Sequence, residues 1–209
     1  TKSKDRAQQV SQQCDQRRHV WHTARMKYCN QCGAPVTHRV PDGDNRPRYV
    51  CDSCDTIHYQ NPRIIAGCLP FHEDQVLLCK RSIAPRQGCW TLPAGFLEFG
   101  ETTAQGALRE TEEEANANAE IIGLYTLFSL PHISQIYMFY RAQLIDLDFY
   151  PGQETLETKL FHESEVPWQE LAFPVITETL KFYFNDLPEE DYPIRNEDII
   201  INRKRDPMK

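Results

Sequence analysis

Two tight cysteine pairs, Cys29-x2-Cys32 and Cys51-x2-Cys54, stand eighteen residues apart and constrain this chain more than any other feature. A Cys-x2-Cys knuckle lets two thiolates hold one ion while the intervening backbone N–H groups steady the sulfurs. Two knuckles complete a tetrahedral S₄ shell, which suits Zn²⁺. The interval falls in the zinc-ribbon window of about 15–20 residues. Gly33 follows the first knuckle, where a left-handed turn is expected, and Pro41-Asp42-Gly43-Asp44 offers a hairpin turn between the pairs. Two disulfides or a single redox pair fit less well, because no secretory leader is visible and a redox motif does not explain a second knuckle. A closed S₄ shell has no open position, so the zinc is read as structural. Cys68 and Cys79 lie in apolar, strand-like runs and read as core residues, while Cys89 has no matching partner. Zinc-bound thiolates need a reducing compartment, which places the protein in the cytoplasm.

The rest of the chain can bury a real core, since 40% of its 209 residues are hydrophobic and 25% are charged. With 23 basic and 30 acidic side chains the net charge is −7, which argues against general nucleic-acid binding. No apolar run approaches the roughly 20 residues needed to cross a bilayer. Residues 1–26 are polar and Gln-rich and read as an extension or disordered segment, and 27–60 form the ribbon. A second domain is expected over 61–186, followed by a polar tail over 187–209. Strands are expected near 64–71, 76–81, 90–92, 121–129, 133–145 and 156–161. Helices are expected at 102–115, with Thr102 and Gln105 as a capping box, and from Pro174 to Phe184. Strands interrupted by two helices make a mixed α/β domain.

The densest chemistry lies in GFLEFGETTAQGALRETEEEANA, residues 95–117, rich in Glu with Arg109 its one basic residue. At about 100° per residue, Ala104, Ala107, Leu108, Thr111 and Ala115 gather on one side of the helix, which should face the core. Glu110, Glu113 and Glu114 share the other side, and Glu112 falls outside their arc. Carboxylates at i, i+3 and i+4 repel one another. A hard cation such as Mg²⁺ or Mn²⁺, joined by waters and substrate phosphates, would relieve that repulsion. Taken alone, the same face reads more readily as an ordinary solvated surface.

The surrounding residues spell the pattern of the Nudix hydrolases, G-x5-E-x7-R-E-U-x-E-E-x-G-U, with U bulky and apolar. Gly95, Glu101, Arg109, Glu110, Glu113 and Glu114 match six of its seven fixed positions. Asn116 stands in place of the last Gly, and Thr111 and Ala117 fill the apolar positions; Asn tolerates the left-handed conformation required after a helix. The resemblance implies a Nudix α/β/α sandwich with a mixed sheet, preceded by the N-terminal ribbon. It also implies that Glu110, Glu113 and Glu114 ligate magnesium, one of them doubling as base, with the Gly95 carbonyl as a further ligand. Glu101 and Arg109 would be an ion pair holding the loop–helix–loop in shape. Many relatives add an acid from a later strand or loop. Glu157 is the first choice and Glu154 the second, each being as readily an exposed loop acid. Arg81, ending LLCKR, sits where relatives often hold a substrate phosphate, and is equally a surface cation. Trp90 reads as a packed core indole.

The likeness runs through HYQNPR (58–63), LLCKR, WTLPAGFLEFGE and LAFP (171–174), covering roughly 27–185. It resembles the ribbon-bearing branch of bacteria and plants that includes a plant FAD pyrophosphatase. That implies a small nucleotide substrate, FAD cleaved to FMN and AMP, or ADP-ribose. NADH pyrophosphatases and NAD-cap hydrolases also join a ribbon to this box but carry SQPWPFPxS downstream, where this chain reads FSLPHISQIYMF (128–139). They rank second. A reading of another class treats the ribbon, with His38, Arg39, Arg46 and Arg48, as an interaction module beside an idle Nudix domain. Many relatives are dimers, and a homodimer is carried over on that ground alone, since the sequence shows no interface.

Overall fold

The computed structural model describes residues 25–200. Nearly all of the expected extension (1–24) and the last nine residues of the expected tail lie outside the described residues. The described chain forms two compact units that divide between Pro62 and Arg63. No helix among the described residues is long and apolar enough to cross a membrane.

The first unit is a three-stranded antiparallel sheet, β1 (Val36–Arg39), β2 (Arg48–Cys51) and β3 (Ile57–His58). Gly33 takes the expected left-handed conformation, φ 75°, and its N–H donates to the Cys29 carbonyl at 3.0 Å. The Asp44 N–H donates to the Pro41 carbonyl at 3.1 Å, closing the turn between β1 and β2. Its buried residues are only Cys29, Pro41, Val50, Cys51 and His58, too small a set to make a core.

The second unit is built on β4 (Arg63–His72), β5 (Gln75–Arg81), β6 (Trp90–Thr91), β7 (Ala94–Phe96), β8 (Ala119–Leu130), β9 (Gln135–Leu144), β10 (Thr155–Phe161) and β11 (Arg195–Asp198). They form one eight-stranded mixed sheet in the order β10-β5-β4-β9-β8-β11, with β6 on β5 and β7 on β4. β4 runs parallel to β9 and β11 parallel to β8, while the other pairs are antiparallel. Two helices, α1 (Thr103–Ala115) and α2 (Pro174–Asp186), cover it. Strand alternation assigns their faces. Ala66 and Cys68 of β4 and Ala142 of β9 pack with Ala107 of α1. Leu69 of β4 and Phe139 of β9 point the other way and pack with Val175, Ile176 and Leu180 of α2. The unit is therefore the expected α/β/α sandwich.

Residues 187–200 depart from a simple polar tail, because β11 extends the sheet by pairing in parallel with β8. Its Arg-Asn-Glu-Asp sequence has no apolar alternation to announce a strand. Backbone pairing and two anchors hold it instead. Arg195 bonds the buried Asp186 carboxylate, and Tyr192 stacks on Tyr183 at 5.9 Å.

Candidate active site

α1 begins and ends on the expected residues. The Thr102 hydroxyl accepts from the Gln105 N–H at 3.2 Å, and the Gln105 carboxamide accepts from the Thr102 N–H at 2.8 Å. Asn116 closes the helix in the left-handed region, φ 46°, with its N–H on the Glu112 carbonyl. Its side chain also donates to the Tyr150 carbonyl at 3.1 Å.

Arg109 is the hub of the loop–helix–loop. Its Nε and Nη2 donate to the two Glu101 oxygens at 3.0 and 2.9 Å, and Nη2 also reaches the Phe96 carbonyl at 3.2 Å. The fork holds the Glu101 carboxyl down to about 2. Nη1 donates to Glu110 at 2.7 Å and to Glu113 at 3.2 Å, so one guanidinium ties three acids together.

The three glutamates assigned to one face prove unequal. Glu113 is exposed, Glu110 is half-buried, and Glu114 is only 9% exposed. The helical projection missed this because burial depends on what lies beyond the helix. The Tyr150 and Gly152 N–H groups donate to the Ala115 and Glu114 carbonyls at 2.9 and 3.0 Å, laying the 149–154 loop against the end of α1. Burial pushes Glu114 up to about 8, and the Glu110 and Glu154 charges push the same way against the lowering effect of Arg81. Burial also raises Glu110.

Glu110 and Glu114 converge on the Ala94–Gly95 peptide of β7. The Ala94 N–H donates to Glu114 at 3.3 Å. A Cβ placed on Gly95 would fall 2.3–2.4 Å from the Glu110 carboxylate, so only glycine leaves room for it. Two carboxylates and a backbone turn thus share one small space, a donor set that fits a hard, oxygen-seeking cation.

Glu157, the first choice for an additional acid, lies on β10 opposite Lys80 and pairs with it at 3.6 Å. Glu154, the second choice, is the one whose charge bears on Glu114. Its carbonyl accepts from the Ser82 N–H at 2.8 Å. Arg81 stands beside Glu114 electrostatically; its Nε donates to the Pro85 carbonyl at 2.9 Å and its guanidinium lies 5.5 Å from the Phe173 ring. The contributions of Ala94, Pro85 and Ser82 are backbone contacts, for which the sequence carries no local signal. Trp90 is 5% exposed and packs edge-on against Phe161 at 4.9 Å, as a core indole does.

In the first unit the Cys29, Cys32, Cys51 and Cys54 sulfurs all lie within 4.8 Å of one another, as a tetrahedral zinc site requires. Hydrogen bonds with Thr56 lower the Cys54 thiol to about 6. Against a lowering bond from the Ala34 backbone, bonds with Cys51 and Cys54 push Cys32 up to about 12. Cys68 and Cys79 are free and buried, as expected of core residues; Cys89, expected unpaired, is buried and disulfide-bonded. Of the basic residues assigned to a partner surface, Arg39 pairs with Asp52 at 3.1 Å and Arg48 with Asp44 at 2.9 Å. Half of that set is therefore neutralised within the ribbon.

Both units are similar to known proteins. Residues 27–60 match the family model described as Nudix N-terminal, and 61–181, more than half of the chain, match that described as NUDIX domain. The crystal structure of a NUDIX hydrolase from Nitrosomonas europaea is 56% identical, with a TM-score of 0.81 over 83% of this chain and 99% of that one. The ADP-ribose pyrophosphatase of Methanocaldococcus jannaschii is 28% identical over 121 residues, 55% of this chain and 69% of that protein. The NAD-capped RNA hydrolase NudC of Photobacterium profundum is 29% identical over 171 residues, 78% of this chain but only 60% of that protein.

Proposed function

The chain belongs to the Nudix family, and we propose that it is a Mg²⁺-dependent hydrolase of the pyrophosphate bond in ADP-ribose or FAD. The convergence of Glu110 and Glu114 on the Ala94–Gly95 peptide, with Glu113 tied to Glu110 through Arg109, carries this reading. Glu110, Glu113 and Glu114 would hold Mg²⁺ or Mn²⁺, with the Gly95 carbonyl and Glu154 as further oxygens; Glu154 takes the place first given to Glu157. Once bound, the cation neutralises charge on the phosphates and lowers the pKa of the attacking water. One carboxylate of the three takes that water's proton, its oxygen joins one phosphorus, and the other half of the substrate leaves with the bridging oxygen. Arg109 and Glu101 keep the carboxylates in register, and Arg81 meets a substrate phosphate. The ribbon, bounded at 27–60, holds a structural Zn²⁺ on its four cysteines. Its thiolates suit a cytoplasmic setting.

ADP-ribose is supported by the similarity to the Methanocaldococcus ADP-ribose pyrophosphatase, and FAD by the ribbon-branch sequence resemblance. Hydrolysis of NADH or NAD-capped RNA is the second reading, favoured by the NudC match, which extends over 78% of this chain. The missing SQPWPFPxS stretch ranks it lower. A product assay with FAD, ADP-ribose, NADH and NAD-capped RNA, each with Mg²⁺, tests the order. Preferential release of AMP from ADP-ribose or FAD upholds the first reading, and preference for NADH or capped RNA replaces it. Inactivity on all four would return the ribbon to the role of interaction module.

A further inference from the structure

Gln135, Tyr137, Phe173 and Arg81 lie outside the carboxylate cluster and share one end of the sheet. Tyr137 of β9 pairs with Ile65 of β4, one residue before the level at which Ala66 meets both Met138 and Gly95. Gln135 is two residues earlier, so alternation gives it the same face as Tyr137. That face lies away from α1, because Tyr140, of the opposite parity, bonds Thr103 of α1 at 2.6 Å. Phe173 stands at the head of α2, on the side Tyr137 faces, and both rings are half-buried against the same core. Arg81 lies over Phe173, and its charge is felt by both the Tyr137 phenol and Glu114. Arg81 therefore links this aromatic corner to the box.

Gln135 is the unexplained member. It is 6% exposed, and its Oε1 has no hydrogen-bond partner. A buried acceptor left unmatched is costly and uncommon. A carboxamide offers an acceptor and a donor side by side, matching the N6–H and N7 of adenine. Tyr137 already stacks on Phe139 at 6.2 Å, and the other face of its half-buried ring is the one that could stack a base.

We propose that Tyr137 is the platform on which the adenine of the substrate's ADP half stacks, with Gln135 reading the N6/N7 edge and Arg81, seated over Phe173, meeting the adjoining phosphate. This deepens the hydrolase reading and rests on it for the position of the phosphates. It gives the site a preference for adenylyl substrates, whatever occupies the far side of the pyrophosphate. Gln135 and Tyr137 would then act on binding and leave the bond-breaking step to the glutamates.

Calorimetric titration of the full chain with AMP, IMP and ribose 5-phosphate tests this without turnover. IMP carries an oxygen where AMP has the amine, and ribose 5-phosphate has no base. The parent protein should bind AMP at least about fivefold more tightly than IMP. Tyr137→Ala should weaken AMP about tenfold or more, leave ribose 5-phosphate unchanged, and be rescued by Tyr137→Phe. Gln135→Met should erase the AMP–IMP difference without lowering the melting temperature, since it removes an unmatched buried acceptor. If Tyr137→Ala proves unstable, Tyr137→Leu serves in its place. Equal binding of AMP and IMP by the parent, no AMP binding, or AMP affinity within twofold in both Tyr137 and Gln135 variants overturns the proposal. The two readings fail separately. Tyr137-dependent AMP binding by a protein that hydrolyses nothing removes the hydrolase and keeps the subsite. Hydrolysis with a KM indifferent to Tyr137 removes the subsite and keeps the hydrolase.

Discussion

The ribbon and the helix-borne site both crowd negative ligands together, and they resist the resulting repulsion by opposite means. In the ribbon, four sulfurs within 4.8 Å are framed by three short strands and almost no buried apolar surface. Around α1, the carboxylates are held by the Thr102–Gln105 cap, the Arg109 fork and a packed sheet. On the proposed function, the first region would need its metal to have a shape, whereas the second has its shape already and would need a metal only to act. Metal dependence of folding and metal dependence of catalysis should then be separable within one chain.

Removing zinc should produce the largest effect. Structural zinc contributes on the order of 10 kcal/mol or more to so small a module. A thiol-competent chelator should release about one zinc per chain and open residues 27–60 to protease, while the main thermal transition of the second unit survives. Loss of both together would abolish the contrast. Glu113→Gln comes next. Turnover should fall on the order of a hundredfold or more with an unchanged melting temperature, because Glu113 is exposed. Full activity in that variant would remove α1 from the chemistry. Gly95→Ala should keep the fold yet cost roughly tenfold to a hundredfold in kcat, since its Cβ would intrude to 2.3 Å on the Glu110 carboxylate.

A pH series sharpens the comparison further. Glu114, pushed up to about 8 by burial from 4.5, keeps its proton in the folded chain where the unfolded chain has lost it. That contribution to stability is full below about pH 4.5 and is lost as pH rises toward about 8. Melting temperatures without added divalent cation should decline across this window, and Glu114→Gln should flatten the decline. Glu101 has the opposite sign. Held down to about 2 by Arg109, it supports the fold above pH 4.5 and ceases to do so as pH falls toward 2. The smallest effect belongs to Asn116, already left-handed at φ 46°. Asn116→Gly should move stability by a few tenths of a kcal/mol, whereas Asn116→Val should cost about 1 kcal/mol.

What could be read from the sequence was local. The Cys pairs, the capping box, Asn116 as a left-handed stop and Pro174 as a helix start all act within a few residues, so spacing and residue type suffice. What could not be read arises between distant segments. Glu114 looks like Glu110 and Glu113 on a helical wheel, and the loop at 149–154 makes it different. β11 carries no apolar alternation, and its place is set by Asp186 and Tyr183 far back in α2. Glu157 faces Lys80 on the neighbouring strand, a pairing between distant segments that spacing alone does not reveal.

The loop bearing Glu154 is stitched to its surroundings at several points. Its Tyr150 and Gly152 amides grip the last carbonyls of α1, and Ser82 takes hold of the Glu154 carbonyl. A Cβ on Gly152 would fall 1.8 Å from the Glu113 carbonyl oxygen, so even the smallest side chain is refused there. Insertions in this stretch would unseat a charge beside Glu114. Phe99, by contrast, projects entirely into solvent from a turn whose Leu97 and Glu98 amides are held by the Ile64 carbonyl and the Glu101 carboxylate.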